Sequence, residues 1–128
     1  MSIKKDLTIV FNSYYSEKQL SIVLKKLCDY KIIIIENSKD ENIKKRLEKK
    51  FKNIQVLIPS DNLGLANGYN LGIKKTNSKY IFLNNPDIQI TNTSIKKLYL
   101  LAKKLKKFGI IAPVYKNEKV FKITKKQS

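Results

Sequence analysis

The sequence predicts an α/β fold: a mostly parallel sheet with helices on both faces. Three observations carry that prediction. Short β-branched runs alternate with stretches whose apolar residues recur every three or four positions. One run, Ile32-Ile33-Ile34-Ile35, is apolar without a break, as a strand covered on both sides is. The length, 128 residues of which 42% are hydrophobic, suffices for one core and not for two.

Leu7-Thr8-Ile9-Val10-Phe11 reads as the first strand. Ser16 then opens a helix, with Gln19 three residues on as its capping-box partner. Leu20, Val23, Leu24, Leu27 and Cys28 form its apolar stripe, which makes Cys28 a small core residue. No His exists to activate it as a nucleophile. After the second strand, Ser38 and Glu41 offer another capping box before a helix carried by Ile43, Leu47 and Phe51. Residues 54–58 form a third strand, ended by Pro59. Residues 61–76 read as loop and then helix, with Leu65, Tyr69 and Ile73 as the stripe. Tyr80-Ile81-Phe82-Leu83 is a fourth strand. A last helix starts at Thr93 or Ser94, turns Ile95, Leu98, Tyr99, Leu101, Ala102, Leu105 and Phe108 inward and Lys106 outward, and stops at Gly109. Ile110 and Ile111 begin a fifth strand before Pro113, and Val120, Phe121 and Ile123 begin a further one among lysines.

The formal charge of +17 first suggests a polyanion partner. All but one of the 27 basic residues are Lys, however, and the exception is Arg46. Arg supplies the forked contacts that read phosphates and bases, so a solvated lysine surface is preferred over a nucleic-acid site. The only Cys rules out an internal disulfide, and with no His it offers no metal-ligand spacing. The five uncharged residues 7–11 are shorter than a signal-peptide core of about 7–15. A cytoplasmic domain is expected, with peripheral contact at the inner face of a membrane left open.

Polar residues gather where strands end, which is where an open parallel sheet places its ligand. Asn12, Ser13, Tyr14 and Tyr15 follow the first strand, Glu36, Asn37 and Ser38 the second, and Asn84, Asn85 and Asp87 the fourth. Glu36 could accept the donors of a base or ribose, and Asp87 could hold a divalent metal against phosphates. Residues 62–72 hold three of the four glycines. Gly64 suits close backbone approach to a ligand, or equally a plain turn, and the segment lacks the ending of a phosphate loop.

Together these motifs resemble the nucleotide-sugar-binding half of family-2 glycosyltransferases of the GT-A, Rossmann-like fold, in the rhamnosyltransferase-like branch. Ser13-Tyr14-Tyr15 stands where that branch ends its first strand in Thr-Tyr-Asn, and Glu36-Asn37-Ser38-Lys39-Asp40 where it has Asp-Asn-x-Ser/x-Asp. Asn62, Gly64, Ala66, Gly68, Asn70 and Gly72 match its Asn-x-Gly-x-Ala-x-Gly-x-Asn-x-Gly pattern. Leu83-Asn84-Asn85-Pro86-Asp87 matches its Leu-Asn-Pro-Asp metal motif with one extra Asn, and Gly109-Ile110-Ile111-Ala112-Pro113 its Gly-x-x-x-Pro strand. The resemblance covers residues 7–115 of one domain spanning 1–128.

The resemblance implies transfer, with inversion, of a sugar from a nucleotide diphosphate donor to an acceptor saccharide or lipid-linked glycan, in cell-surface polysaccharide synthesis. Tyr14, Glu36 and Asn37, with Ser13, would meet the nucleoside. Asn62, Gly64 and Asn70 would shape the wall by the diphosphate, and Asp87, beside Asn85, would hold Mg²⁺ or Mn²⁺. The family continues well beyond this length, so a truncated fold without acceptor wall or catalytic base is expected. Glu118, in a lysine-rich stretch, is not assigned as that base. A non-catalytic nucleotide-sugar-binding module and a basic domain binding nucleic acid or an anionic membrane surface are the alternatives.

Overall fold

The computed structural model describes residues 3–27, 29–105 and 107–111. The expectations placed on Cys28, Lys106, Ala112, Pro113, Glu118, Val120, Phe121 and Ile123 lie outside them. A short helix α1 (Ile3–Asp6) leads into β1 (Leu7–Ser13), α2 (Glu17–Lys26) and β2 (Lys31–Glu36). There follow α3 (Glu41–Lys50), β3 (Ile54–Leu57), α4 (Gly64–Lys74), β4 (Tyr80–Asn84) and α5 (Asn92–Lys104). The four strands are all parallel, in the order β3-β2-β1-β4. This is the expected α/β, Rossmann-like architecture. The order reverses between β1 and β4, so the crevice for a ligand lies at the C-terminal ends of those strands.

Strand alternation divides the core in two. Leu7, Ile9 and Phe11 of β1, with Ile32 and Ile34 of β2, face Leu20, Val23 and Leu24 of α2, Ile43 and Leu47 of α3 and Ile95 of α5. Val10, Ile33 and Ile35 point the other way, toward Tyr69 and Leu71 of α4. The unbroken isoleucine run is therefore covered from both sides, as its composition requires.

Several helix ends differ from expectation. Ser16 precedes α2 but caps nothing with its side chain, because its hydroxyl donates to the Tyr14 carbonyl (3.2 Å). Asp40, not Ser38, caps α3: its carboxylate accepts from the Asn42 amide (2.9 Å) where negative charge also suits the helix dipole. Thr91 caps α5 through the Ser94 amide, so that helix starts before Thr93, and it ends at Lys104, short of Gly109. Of its predicted inward face, Ile95, Tyr99 and Ala102 are buried, whereas Leu101, Leu105 and Phe108 are exposed. Tyr99 is held by donating to Asp6 (2.7 Å). No strand forms at Ile110 and Ile111, and Ile110 is 92% exposed.

The largest correction concerns α4. Leu65 and Ile73 of the predicted stripe are exposed, and the buried positions are Gly68 and Gly72. A Cβ on Gly72 would lie well inside van der Waals distance of Val10 Cγ1, and one on Gly68 inside that of Asn12 Oδ1. The helix backbone thus lies directly on β1, closer than any side chain allows. Gly72→Ala should lower stability by about 1–3 kcal/mol through overpacking. Gly109→Ala, with open space around its added methyl, should stay within about 0.5 kcal/mol of the parent. Urea unfolding of both variants checks this, and equal stabilities would contradict the tight contact.

Candidate functional site

The two-residue period of the strands decides which polar residues meet. Asn12 continues the row of Val10 toward α4, and Asn37 extends the row of Ile33 and Ile35 on the same side. The Asn37 side chain accordingly donates to Asn12 Oδ1 (2.7 Å) and to the Ser13 carbonyl (3.3 Å), while its Oδ1 accepts from the Leu63 amide (3.0 Å). Asn12 in turn donates to the Gly64 carbonyl (3.1 Å). Asn62 Oδ1 accepts from the Gly64 amide (2.9 Å), and Gly64 takes φ +71°, a conformation that favours glycine. The ends of β1 and β2 and the start of α4 are thereby tied into one unit.

Ser13 and Glu36 are register partners on the opposite side. Glu36 is fully buried. One carboxylate oxygen accepts from the Ser13 hydroxyl (2.8 Å), and the other accepts from the amides of Tyr15 (3.2 Å) and Ser38 (3.1 Å). These contacts brace two turns at once, each holding a residue with positive φ: Tyr15 (52°) and Lys39 (65°). Of the residues expected to meet a nucleoside, Glu36 is thus engaged with its own backbone. Tyr14 is 59% exposed at the rim, with its ring packed edge-on against Tyr15.

Across the crevice, the Asn84 side chain donates to the Ile88 carbonyl (3.0 Å) and the Ile88 amide to the Asn85 carbonyl (3.0 Å), closing the turn after β4. Asp87 projects from that turn, exposed. Tyr69 of α4 donates to Asn85 Oδ1 (2.5 Å), which joins the turn to the glycine helix. Burial, and then the negative charge of Asp87, push the Tyr69 phenol up to about 12. Asn70 stands exposed on α4 and joins none of these bonds. Among the described residues no cluster of three or more acidic, Cys or His groups could hold a metal by itself. Arg46 is committed elsewhere, in a two-pronged pair with Glu17 that links α3 to α2 (2.7 Å each) and lowers the Glu17 carboxyl below its usual range.

Tyr69 is the site member that the sequence places only in an apolar stripe, whereas Asn12 stands among the polar residues after the first strand with no role of its own. Tyr69 carried a signal, since a tyrosine in an aliphatic stripe brings a polar tip that needs a partner. Asn12 carried only its place in a polar cluster.

Glu36→Ala would leave a hydroxyl and two amides without their acceptor, and should cost about 2–4 kcal/mol in urea unfolding. Glu36→Gln should cost less. An alanine variant as stable as the parent would refute the brace. Tyr69 predicts a pH effect with a definite sign. Its folded phenol titrates above the ordinary 10, so its contribution to stability is complete below about pH 10 and declines as pH rises toward about 12. Phenolate absorbance should lose one late-titrating group in Tyr69→Phe, and that titration should move to lower pH in Asp87→Asn.

The model of the family described as "Glycosyl transferase family 2" matches residues 7–128. Among solved structures, the chain resembles Staphylococcus aureus TarS residues 1–349 with TM-score 0.64 and 14% identity, over 84% of this chain and 38% of that one. It also resembles the mannosyltransferase PcManGT from Pyrobaculum calidifontis, solved with GDP-Man and Mn²⁺, with TM-score 0.64 and 10% identity, over 79% of this chain and 33% of that one. The chain therefore spans less than two-fifths of the length of these structures. A search of curated proteins gives no match. The likeness to the two structures concerns the fold, and the family match runs through all four strands and every residue of the crevice: the chain belongs to glycosyl transferase family 2.

Proposed function

We propose that this chain is the donor-binding part of a glycosyltransferase and holds a nucleotide diphosphate sugar in the crevice between β1 and β4. The observation that carries this reading is the Asn12–Asn37–Leu63–Gly64 network, which fixes a positive-φ glycine and the start of a helix beside the strand ends. Free amides in a helix's first turn favour an anion such as a diphosphate. Tyr14, exposed at the rim, offers a ring face to a base. Asn37 orients the loop through the Leu63 amide, and Glu36 acts by holding the Tyr15 and Ser38 backbones, so both are positioning residues.

A divalent metal fits the donor set. Asp87 is an exposed carboxylate outside any ion pair among the described residues, and Mg²⁺ or Mn²⁺ commonly takes one or two carboxylates together with substrate phosphates. Asp87 would hold the metal, and the metal would supply charge to stabilise the departing diphosphate. The mannosyltransferase neighbour was solved with GDP-Man and Mn²⁺, which supports the same chemistry here. Tyr69 keeps the Asn85 amide turned toward α4 and so settles the turn from which Asp87 projects. An inverting mechanism, an acceptor glycan and a role in polysaccharide synthesis extend the same proposal. So does the assignment to the rhamnosyltransferase-like branch.

Calorimetry with UDP-, GDP- and dTDP-sugars, with Mn²⁺ or Mg²⁺ and with EDTA, tests the reading. One donor should bind with metal, and Asp87→Ala should weaken that binding by about 10- to 100-fold or more. Equal affinity in EDTA would remove the metal, and no binding of any donor would remove the function.

A further inference from the structure

We propose a second ligand site: the cavity at the N-terminal ends of the strands binds a phosphate group. It is an open concavity of about 480 Å³ lined by Lys5, Lys31, Lys75, Thr8, Thr76 and Ser78 among others, with no Asp or Glu among the described residues of the lining. Its three cations come from separate parts of the chain: the last turn of α1, the first residue of β2 and the C-cap of α4. None of the three is in an ion pair among the described residues. Three lysines lining one concavity give it a positive potential, which a bound anion would offset. Lys75 also offsets the dipole of α4, but Lys31, opening a strand, has no such duty.

The hydroxyls add a second reason. Thr8 is buried, and its oxygen lies 2.9 Å from the Thr76 hydroxyl and 2.6 Å from that of Ser78. The Ser78 amide also donates to the Thr76 hydroxyl (3.2 Å). Two hydroxyl–hydroxyl contacts use two of three protons, so one proton remains for an acceptor outside the cluster. Lys31 is the register partner of Thr8, which brings an ammonium-bearing residue beside this surplus donor. Ammonium and hydroxyl donors match phosphate, whose charged oxygens are strong acceptors, and Lys serves phosphate as a point charge where Arg is absent. The strand length separates this cavity from the crevice by about 20 Å, so the two sites stand independently.

The test titrates the isotope-labelled chain by NMR with inorganic phosphate, and by sedimentation with phosphatidylcholine vesicles with and without phosphatidic acid. Saturable shifts confined to residues around Thr8, Lys31 and Ser78 are expected, or saturable binding to the phosphatidic acid vesicles alone. The first outcome assigns a free anion and the second a lipid headgroup. The combined Lys5→Gln, Lys31→Gln, Lys75→Gln variant should lose about tenfold or more in affinity, with an unchanged fold by melting. The combined Lys96→Gln, Lys97→Gln, Lys104→Gln variant, altered on α5, should bind as the parent does. No saturable binding in either arm, or equal losses in both variants, overturns the proposal.

Discussion

Direct contact between the backbone of α4 and β1 governs the site. Gly68 and Gly72 let the helix settle onto Asn12 and Val10, where any β-carbon would collide. That approach brings the Gly64 carbonyl within reach of Asn12 and the Leu63 amide within reach of Asn37. It also carries the Tyr69 hydroxyl across to Asn85 on the far side of the crevice. A helix resting on ordinary side chains would stand farther off, and these polar bonds could not close. The exposed Leu65 and Ile73 follow from the same geometry, since the face that would bury them is not the face that fits.

Glu36 shows how a buried carboxylate can hold the backbone around it. A buried carboxylate is tolerable only when its oxygens are met by donors, and here a hydroxyl and two amides meet them. The donors belong to turns that contain Tyr15 and Lys39 in left-handed conformations, which are strained for non-glycine residues. The carboxylate therefore stabilises backbone geometry that local preference alone would not maintain. The family pattern to which this segment is similar has an Asp at this place. Glu36 carries one more methylene, and its reach is used on the chain's own backbone.

Lysine excess does two kinds of work in this fold. Along α5 the lysines Lys96, Lys97, Lys103 and Lys104 are exposed, as expected of a wet helix face. At the opposite end of the sheet from the crevice, Lys5, Lys31 and Lys75 converge on one cavity. Net charge alone does not distinguish these cases; the distinction lies in which loops and helix ends the parallel topology brings to the same end of the sheet. Arg46 takes no part, because its guanidinium is used between α3 and α2.

The four strands, the α/β class and the order of the motifs were all legible in the sequence. Each rests on local information: β-branched runs, periodic stripes and turn residues at strand ends. Ser13, Asn37, Gly64 and Asn85 could be singled out for the same reason, by their places at the ends of runs. The start of α2 after Ser16 was legible, but the capping side chains were less so. The Ser16 hydroxyl turns back to the Tyr14 carbonyl, Asp40 displaces Ser38 and Thr91 displaces Thr93, choices that depend on dihedral angles set by the following packing. Only the tertiary structure decided that glycines, not leucine and isoleucine, form the buried face of α4, since that depends on how close β1 approaches. Only the tertiary structure, too, turned Glu36 inward, left Asn70 outside the cluster and gathered three distant lysines. Contacts between residues far apart in the chain are set by strand order and register, which no short window of sequence encodes.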